Sequence, residues 1–361
     1  MIHDVAIVGG GIAGAGLAAA IVGAARVLLL EAEAQPGYHS TGRSAAFWSE
    51  TYGGPGIQPL TSASGPALRD GGFLAPLGSL HVGRAADAAQ VDAFVDSFAG
   101  TAVALDRVDP HQRVPGLRPD WTLGVMEASC AYIDVAALHA AYLAAFRRAG
   151  GVIATDAALI AARRKAGVWT IDTPAGTFRA RLLVNAAGAW ADTVAGRVGA
   201  APLGIQPYRR TMVQLRTEPS APAGMPLVAD IAGRFYFKPE AGRLWLSPHD
   251  ETPVGPHDVA PEEVDVAQAI DRLESVVDWR AVAVERRWAG LRSFAPDRLP
   301  VYGFDARVPG LFWCAGQGGF GIQTAPAGAA VAASLLLGTP LAAPYAGIDV
   351  DRYAARRFLP G

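Results

Sequence analysis

The chain has 361 residues, 51% of them hydrophobic and 18% charged, and a net charge of −2. Its length exceeds one average domain and its apolar share supplies a substantial core, so two lobes or one large α/β unit is expected. The near-neutral balance, with no Lys/Arg run beyond three residues, argues against a nucleic-acid surface. Two distant cysteines, Cys130 and Cys314, form no CxxC and no cluster with histidine; they give neither a disulfide framework nor metal-ligand spacing and suit a reducing, cytoplasmic setting.

The first predicted elements are strand, tight turn, helix and strand. Val5 to Val8 form a short apolar run of the kind buried in parallel sheets. Gly9, Gly11 and Gly14 follow with G-x-G-x-x-G spacing, and Ile12 and Ala13 open the helix. The first glycine makes the turn, the second admits a pyrophosphate to the backbone, and the third lets helix and strand pack closely. The helix N-terminus directs free N–H groups and its positive dipole end at the phosphates. Although VAIVGGGIAGAGLAAAIVGAA is apolar, only His3 and Asp4 stand before it as polar residues, so it reads as a cofactor turn and not a signal peptide. No other apolar run is long enough to span a bilayer. The second strand, Val27 to Leu30, leads into Glu31 and Ala32, where a carboxylate can accept from both hydroxyls of a ribose.

A nicotinamide dehydrogenase would ordinarily continue into another helix. Here a small polar loop follows, with Ser40, Thr41, Gly42, Arg43, Ser44, Ala45 and Ala46 in sequence. Its hydroxyls and amides suit an extended ligand, and Arg43 is placed to offset phosphate charge or to donate to a ring carbonyl. Residues 135 to 149 read as a helix capped by Asp134 and ended by Gly150-Gly151, with Val135, Leu138, Tyr142 and Phe146 on one face. A meander of strands after it passes Ala157 and returns to the first sheet at Gly188, both expected at the cofactor. Segments 67 to 133 and 206 to 287 carry scattered strand patterns and read as a second, largely antiparallel unit. Near the C-terminus, WCAGQGGFGIQTAPAG combines a short strand, a bare turn at Gly316, Gly318, Gly319 and Gly321, then Ile322, and an Ala-rich helix with Pro326 in its first turn. A second glycine turn ahead of a helix leaves free N–H groups suited to negative charge on a ligand.

Together with HSTGRSAA, VNAAGAWAD, WAGLRSFAPD and GQGGFGIQT, the first glycine motif and Glu31 resemble the FAD-dependent D-amino-acid oxidase and dehydrogenase family, which includes glycine oxidase and sarcosine oxidase. The chain also resembles the bacterial D-arginine dehydrogenase branch, a likeness that takes in PLGIQPYRR and FYFKPEAG. The resemblance implies an α/β (α+β overall) fold, with a Rossmann-like FAD-binding domain (1–66, 134–205 and 288–361) interwoven with an antiparallel substrate domain (67–133 and 206–287).

It also implies oxidative deamination of a D-amino acid to a 2-oxo acid and ammonia, with FAD taking the hydride. An arginine is the residue suited to grip the substrate carboxylate bidentately. Arg292, set among apolar neighbours, is the first candidate. Arg209 is the second, by its match to a substrate-facing arginine; either it or its neighbour Arg210 is expected to be a structural ion-pair partner. Tyr52 and Tyr236 match pocket tyrosines, and Gln323 and the carbonyl of Gly319 are placed to accept from the amine. No histidine stands out as a general base. Two positions depart from the D-arginine dehydrogenase pattern: Phe47 replaces an active-site histidine, and Ser79 replaces the glutamate that pairs with the substrate guanidinium. A smaller, apolar or cyclic substrate is therefore expected in place of D-arginine. Gly290 stands where some relatives bond the flavin through cysteine, so FAD is expected to be non-covalent, with a quinone or another acceptor taking its electrons. The alternatives are a secondary-amine or 2-hydroxy-acid oxidoreductase on the same fold and, in another class, a non-catalytic flavoprotein.

Overall fold

The computed structural model describes residues 1–358 as a mixed α/β molecule with two large sheets. In the first, His3–Val8 lies between Val27–Leu30 and Gly176–Asn185, all parallel. Gly176–Asn185 is long enough to change partners. Its first half pairs antiparallel with Val168–Thr173, while its last residues run parallel to Leu311–Ala315. The all-apolar strands are buried because helices cover them. Three helices, Ile12–Ile21, Val135–Arg148 and Ala325–Leu337, share one apolar cluster in which Ala15, Ala18 and Ala327 permit close approach and Leu143, Phe146 and Val331 fill the space.

Asp134 caps Val135–Arg148 as expected, accepting from the Ala137 N–H. The buried face is Leu138, His139, Leu143 and Phe146, however, while Val135 and Tyr142 are only half-buried. The helix is turned so that His139 hydrogen-bonds the Gly10 carbonyl at 2.8 Å, a contact that apolar spacing does not register.

The second sheet has ten strands and is antiparallel apart from the Leu227–Asp230 pairing with Ser79–Gly83. Its spine is Gln206–Glu218 paired with Arg280–Phe294 over nearly their whole length. The helix Gln58–Asp70 and the strand Arg280–Phe294 run unbroken through the boundaries read at residues 66/67 and 287/288. The two units share continuous elements. Gln317–Gly318, in the second glycine turn, hydrogen-bonds the edge of the second sheet at Ser293 and Phe294. That turn thus stitches the strand Leu311–Ala315 of one sheet to the arginine-bearing strand of the other. Among the described residues, no helix is long and apolar enough to cross a membrane.

Candidate active site

The first glycine turn is built for close packing. Gly9 adopts φ +108°, and a Cβ there would lie 2.3 Å from the Ala186 carbonyl oxygen. A Cβ on Gly14 would lie 1.9 Å from the Gly9 oxygen, so Gly14 seats the helix on the turn and does not itself face the cavity. The Glu31 carboxylate is buried at the end of its strand, accepting from the Gly10 N–H at 2.8 Å and the Glu33 N–H at 3.0 Å. Thr41 Oγ1 accepts from the Ile12 N–H at 3.0 Å and so tethers the polar loop to the helix N-terminus.

One cavity of about 460 Å³ takes in this turn, the polar loop and the second glycine turn. Most sequence-expected cofactor residues line it: Gly9, Gly11, Ile12, Ala13, Glu31, Ala32, Ser40, Thr41, Arg43, Ser44, Ala45, Ala46, Ala157, Gly188, Gly318, Gly321 and Ile322. Gly42 does not. It closes a tight turn instead, its N–H donating to the Gly37 carbonyl at 2.8 Å. Arg43 borders the cavity, but its guanidinium is used elsewhere. It donates to the Val259 and Ala289 carbonyls and pairs with Asp258, so it clamps the loop to the second sheet and is not free for a phosphate or a ring carbonyl.

The same cavity is walled by Phe47, Tyr52, Tyr236, Arg292, Gly319 and Gln323. Rings meet edge to face from Tyr236 through Phe47 to Tyr52 and Phe320, with centroid separations of 5.6, 5.0 and 5.4 Å. Arg292 is 9% exposed and lies 5.0 Å from the Phe294 ring centroid. A Cβ on Gly319 would fall 2.1 Å from its Nη2, so the glycine leaves room for the guanidinium to lie across the turn. Burial, followed by the nearby Arg210, pushes the Arg292 pKa down from its ordinary value. Tyr236 is pushed up to about 12, chiefly by burial, and keeps its proton. The Gln323 amide nitrogen donates to the Tyr52 carbonyl and Thr61 Oγ1, so its first job is to hold the Tyr52 loop.

Two expected site residues are corrected. Arg209 faces away from the cavity and pairs with Glu262 and with Asp265 at 2.8 Å, whereas Arg210 lines the cavity. Successive strand residues point to opposite faces, and the pairing of Arg210 with Gly290 puts Arg210 on the face of Arg292. Ser79 sits within the second sheet in register with Glu127 and does not reach the cavity. Among the described residues, the carboxylates lining the cavity are Glu31 and Glu33, both next to the first glycine turn. Sequence reading missed Glu251, which accepts from Arg292 Nη1 at 2.6 Å and from Arg210 Nη2 at 3.3 Å. It also missed Met212, whose sulfur takes the Tyr236 hydroxyl at 3.2 Å.

The features that define a ligand here are orphaned donors. Arg292 Nε and Arg210 Nη1 are buried without a hydrogen-bond partner, at the wall of a cavity. Leaving charged donors unpaired in the interior is costly, so the pair is suited to an anion.

The sequence model of DAO, described as FAD dependent oxidoreductase, matches residues 4–335, and the chain belongs to that family. Mouse dimethylglycine dehydrogenase is 27% identical over 234 residues, which is 59% of this chain and 27% of that one. Glycine oxidase from Geobacillus kaustophilus is 31% identical over 160 residues, 43% of this chain and 40% of the relative. This chain thus spans well under half the length of these curated relatives. Among solved structures, L-proline dehydrogenase from P. horikoshii superposes with a TM-score of 0.85 at 18% identity, covering 99% of this chain and 98% of the other. The glycine oxidase structure gives 0.81 at 24% identity over 96% and 98%.

Proposed function

We propose that the chain oxidises the carbon–nitrogen bond next to the carboxylate of an amino acid, and that a small or apolar D-amino acid is converted to its 2-oxo acid and ammonia. The observation that carries this reading is the pair of buried, unpartnered guanidinium donors on Arg292 and Arg210, in the cavity that also contains the glycine turns. The residues present fit FAD. Gly9, Gly11 and the N-terminus of Ile12–Ile21 would hold the pyrophosphate, Glu31 the ribose, and the turn around Gly318 to Ile322 the ring. When bound, FAD supplies the acceptor for the hydride and its electron pair.

The chain's own residues orient the substrate. Arg292 and Arg210 grip the carboxylate, while the hydroxyls of Tyr52 and Tyr236 stand on the same wall. Phe47 and Met212 make the surroundings apolar and exclude water from the reacting carbon. Of the histidines, His39 lines the cavity, and its ring is tied to Glu33 at 2.9 Å. Among the described residues, no side chain on this wall is placed as a base, so the amine gives up its proton to solvent before the C–H bond breaks. The carbon loses a hydride, leaving an imino acid, and water then converts it to the oxo acid and ammonia. D-arginine is disfavoured because, among the described residues, the carboxylates lining the cavity are Glu31 and Glu33 beside the first glycine turn, leaving none on the Tyr52 and Tyr236 wall to meet a substrate guanidinium.

Anaerobic bleaching of the flavin against paired D- and L-amino acids tests the reading, with bleaching expected from one enantiomer alone. Comparable rates for D- and L-alanine or D- and L-methionine would overturn the stereochemical assignment. A secondary amine is the second reading, favoured by the aromatic lining and by a structural neighbour that acts, by its name, on proline. It predicts turnover without release of ammonia. Neither cysteine lines the cavity, which supports non-covalent FAD; acid precipitation should leave the yellow colour in the supernatant. Reoxidation by a quinone that outpaces reoxidation by dioxygen would establish the proposed acceptor class.

A further inference from the structure

Arg210 and Arg292 stand on neighbouring antiparallel strands, with Arg210 opposite Gly290 and Tyr208 opposite Arg292. They are diagonal neighbours on one face of the sheet, a relation that brings Cα atoms to about 7–8 Å. Both are nearly buried, at 5% and 9% exposure. Two like charges this close in a partly dry site repel unless something between them opposes it.

What lies between them is one carboxylate. Glu251 Oε1 accepts from Arg292 Nη1 at 2.6 Å, from Arg298 Nη2 at 2.9 Å and from Arg210 Nη2 at 3.3 Å; Oε2 accepts again from Arg298 at 3.0 Å. Arg298, half-exposed, anchors the carboxylate from the solvent side. On each buried guanidinium, Glu251 takes one terminal nitrogen. It leaves unpartnered the Nε of Arg292 and the Nη1 of Arg210. Against the upward push of burial, Arg292, Arg298 and Arg210 hold the Glu251 carboxyl below its ordinary value, so it stays charged. Glu251 itself does not line the cavity.

We propose that Glu251 is a positioning residue for the carboxylate site: it binds the outer edges of Arg210 and Arg292, opposes their repulsion, and presents their free edges together to the substrate. This rests on the reading that the substrate carboxylate binds those two arginines. Glu251 competes for neither free edge, because it already occupies different nitrogens. Its net effect is to order the clamp, and this outweighs the repulsion between two carboxylates that share guanidinium partners.

Calorimetric titration of the FAD-loaded protein with benzoate, and with uncharged benzamide as control, tests this. Glu251→Gln should weaken benzoate by about tenfold or more, the scale of losing one partner of a hydrogen-bonded charge pair. Benzamide binding should stay as in the parent. With the best substrate, KM should rise by a similar factor while kcat changes by less than about threefold, because the carboxylate is present in ground and transition states alike. Glu251→Asp should restore part of the loss. Arg298→Gln, at a half-exposed position, should weaken benzoate by a smaller factor because it frees the far side of Glu251. Unchanged or tighter benzoate binding in both Glu251→Gln and Arg298→Gln overturns the inference, as does an equal loss for benzamide. If Arg292→Ala binds benzoate like the parent, the carboxylate reading fails and the inference falls with it. If Arg292→Ala loses binding while Glu251→Gln does not, the inference alone fails.

Discussion

Arg209, Arg210 and Arg292 have the same side chain and three different duties. Arg209 points to the far face of the second sheet, where it joins the strand Gln206–Glu218 to the helix Glu263–Val276 through Asp265. Arg209→Ala would leave Asp265 without its buried guanidinium partner, and removing one side of such a pair costs about 3–5 kcal/mol. A lowered urea midpoint with near-normal benzoate affinity is the expected outcome; the reverse pattern would move Arg209 into the site. Arg292→Ala should instead lower kcat/KM by roughly a hundredfold or more, at about 1.4 kcal/mol per factor of ten, with FAD content nearly normal. Arg292→Lys should recover only part, since an ammonium keeps the charge and loses the planar fork. Turnover of the alanine variant at the parent's rate would show that the carboxylate binds elsewhere. Sequence reading offered Arg209 ahead of Arg210 from YRR, whereas the structure brings Arg210 to the cavity wall. That choice depends on strand parity, fixed by pairing with residues some eighty positions away. Glu251 was invisible for a related reason: it meets Arg292 only after the second sheet is assembled.

At the scale of elements, the two glycine turns were legible because close packing leaves a local mark. A strand, a turn without side chains and an apolar helix must be adjacent in sequence to form such a site, and both turns appear in the structure where they were read. The boundaries between units were less legible, since Arg280–Phe294 belongs to the second sheet throughout and carries Arg292 into the cavity. The second turn also has a consequence for the first arginine of the site. A methyl group on Gly319 would collide with the Arg292 guanidinium at 2.1–2.5 Å, and that group is the end of a flexible side chain, not backbone. Gly319→Ala should therefore displace Arg292 at little cost to stability. KM should rise severalfold or more with the melting temperature close to the parent's. Gly14→Ala makes a contrast, because its Cβ would meet the Gly9 backbone oxygen at 1.9 Å and nothing flexible can yield. That variant should lose FAD or fail to fold, as retained absorbance after gel filtration would report. A Gly319→Ala enzyme with an unchanged KM would mean that Arg292 does not need its observed position.

For the whole molecule, the clearest pH dependence comes from two partly buried histidines. His81 lies on Ser79–Gly83 with its ring 4.4 Å from that of Phe94 and its Nε2 3.3 Å from Thr51 Oγ1. Burial lowers its pKa from 6.5 to about 4. Burial and then Arg210 lower that of His249, behind Tyr236, to about 3. A depressed folded-state pKa means that the unfolded chain takes up the proton first. The associated stability is fully present above the unfolded value of about 6.5 and is lost as pH falls through the folded value. Between pH 6 and 4 the unfolded state therefore carries a proton on His81 that the folded state mostly lacks. The stability cost approaches 1.4 kcal/mol per pH unit for one full proton and is smaller where water reaches the ring. Burial raises the carboxyl pKa of Glu127 and Asp250, and those groups act in the opposite sense, favouring the folded state as pH falls. The comparison must accordingly be made between variants. His81→Gln keeps a polar side chain beside Thr51 but cannot take up a proton. Its urea midpoint should fall less steeply than the parent's from pH 6 to pH 4, and the two curves should run parallel above pH 7. Parallel curves at every pH would show that protonation of His81 does not drive the acid instability, leaving His249 as the next residue to replace.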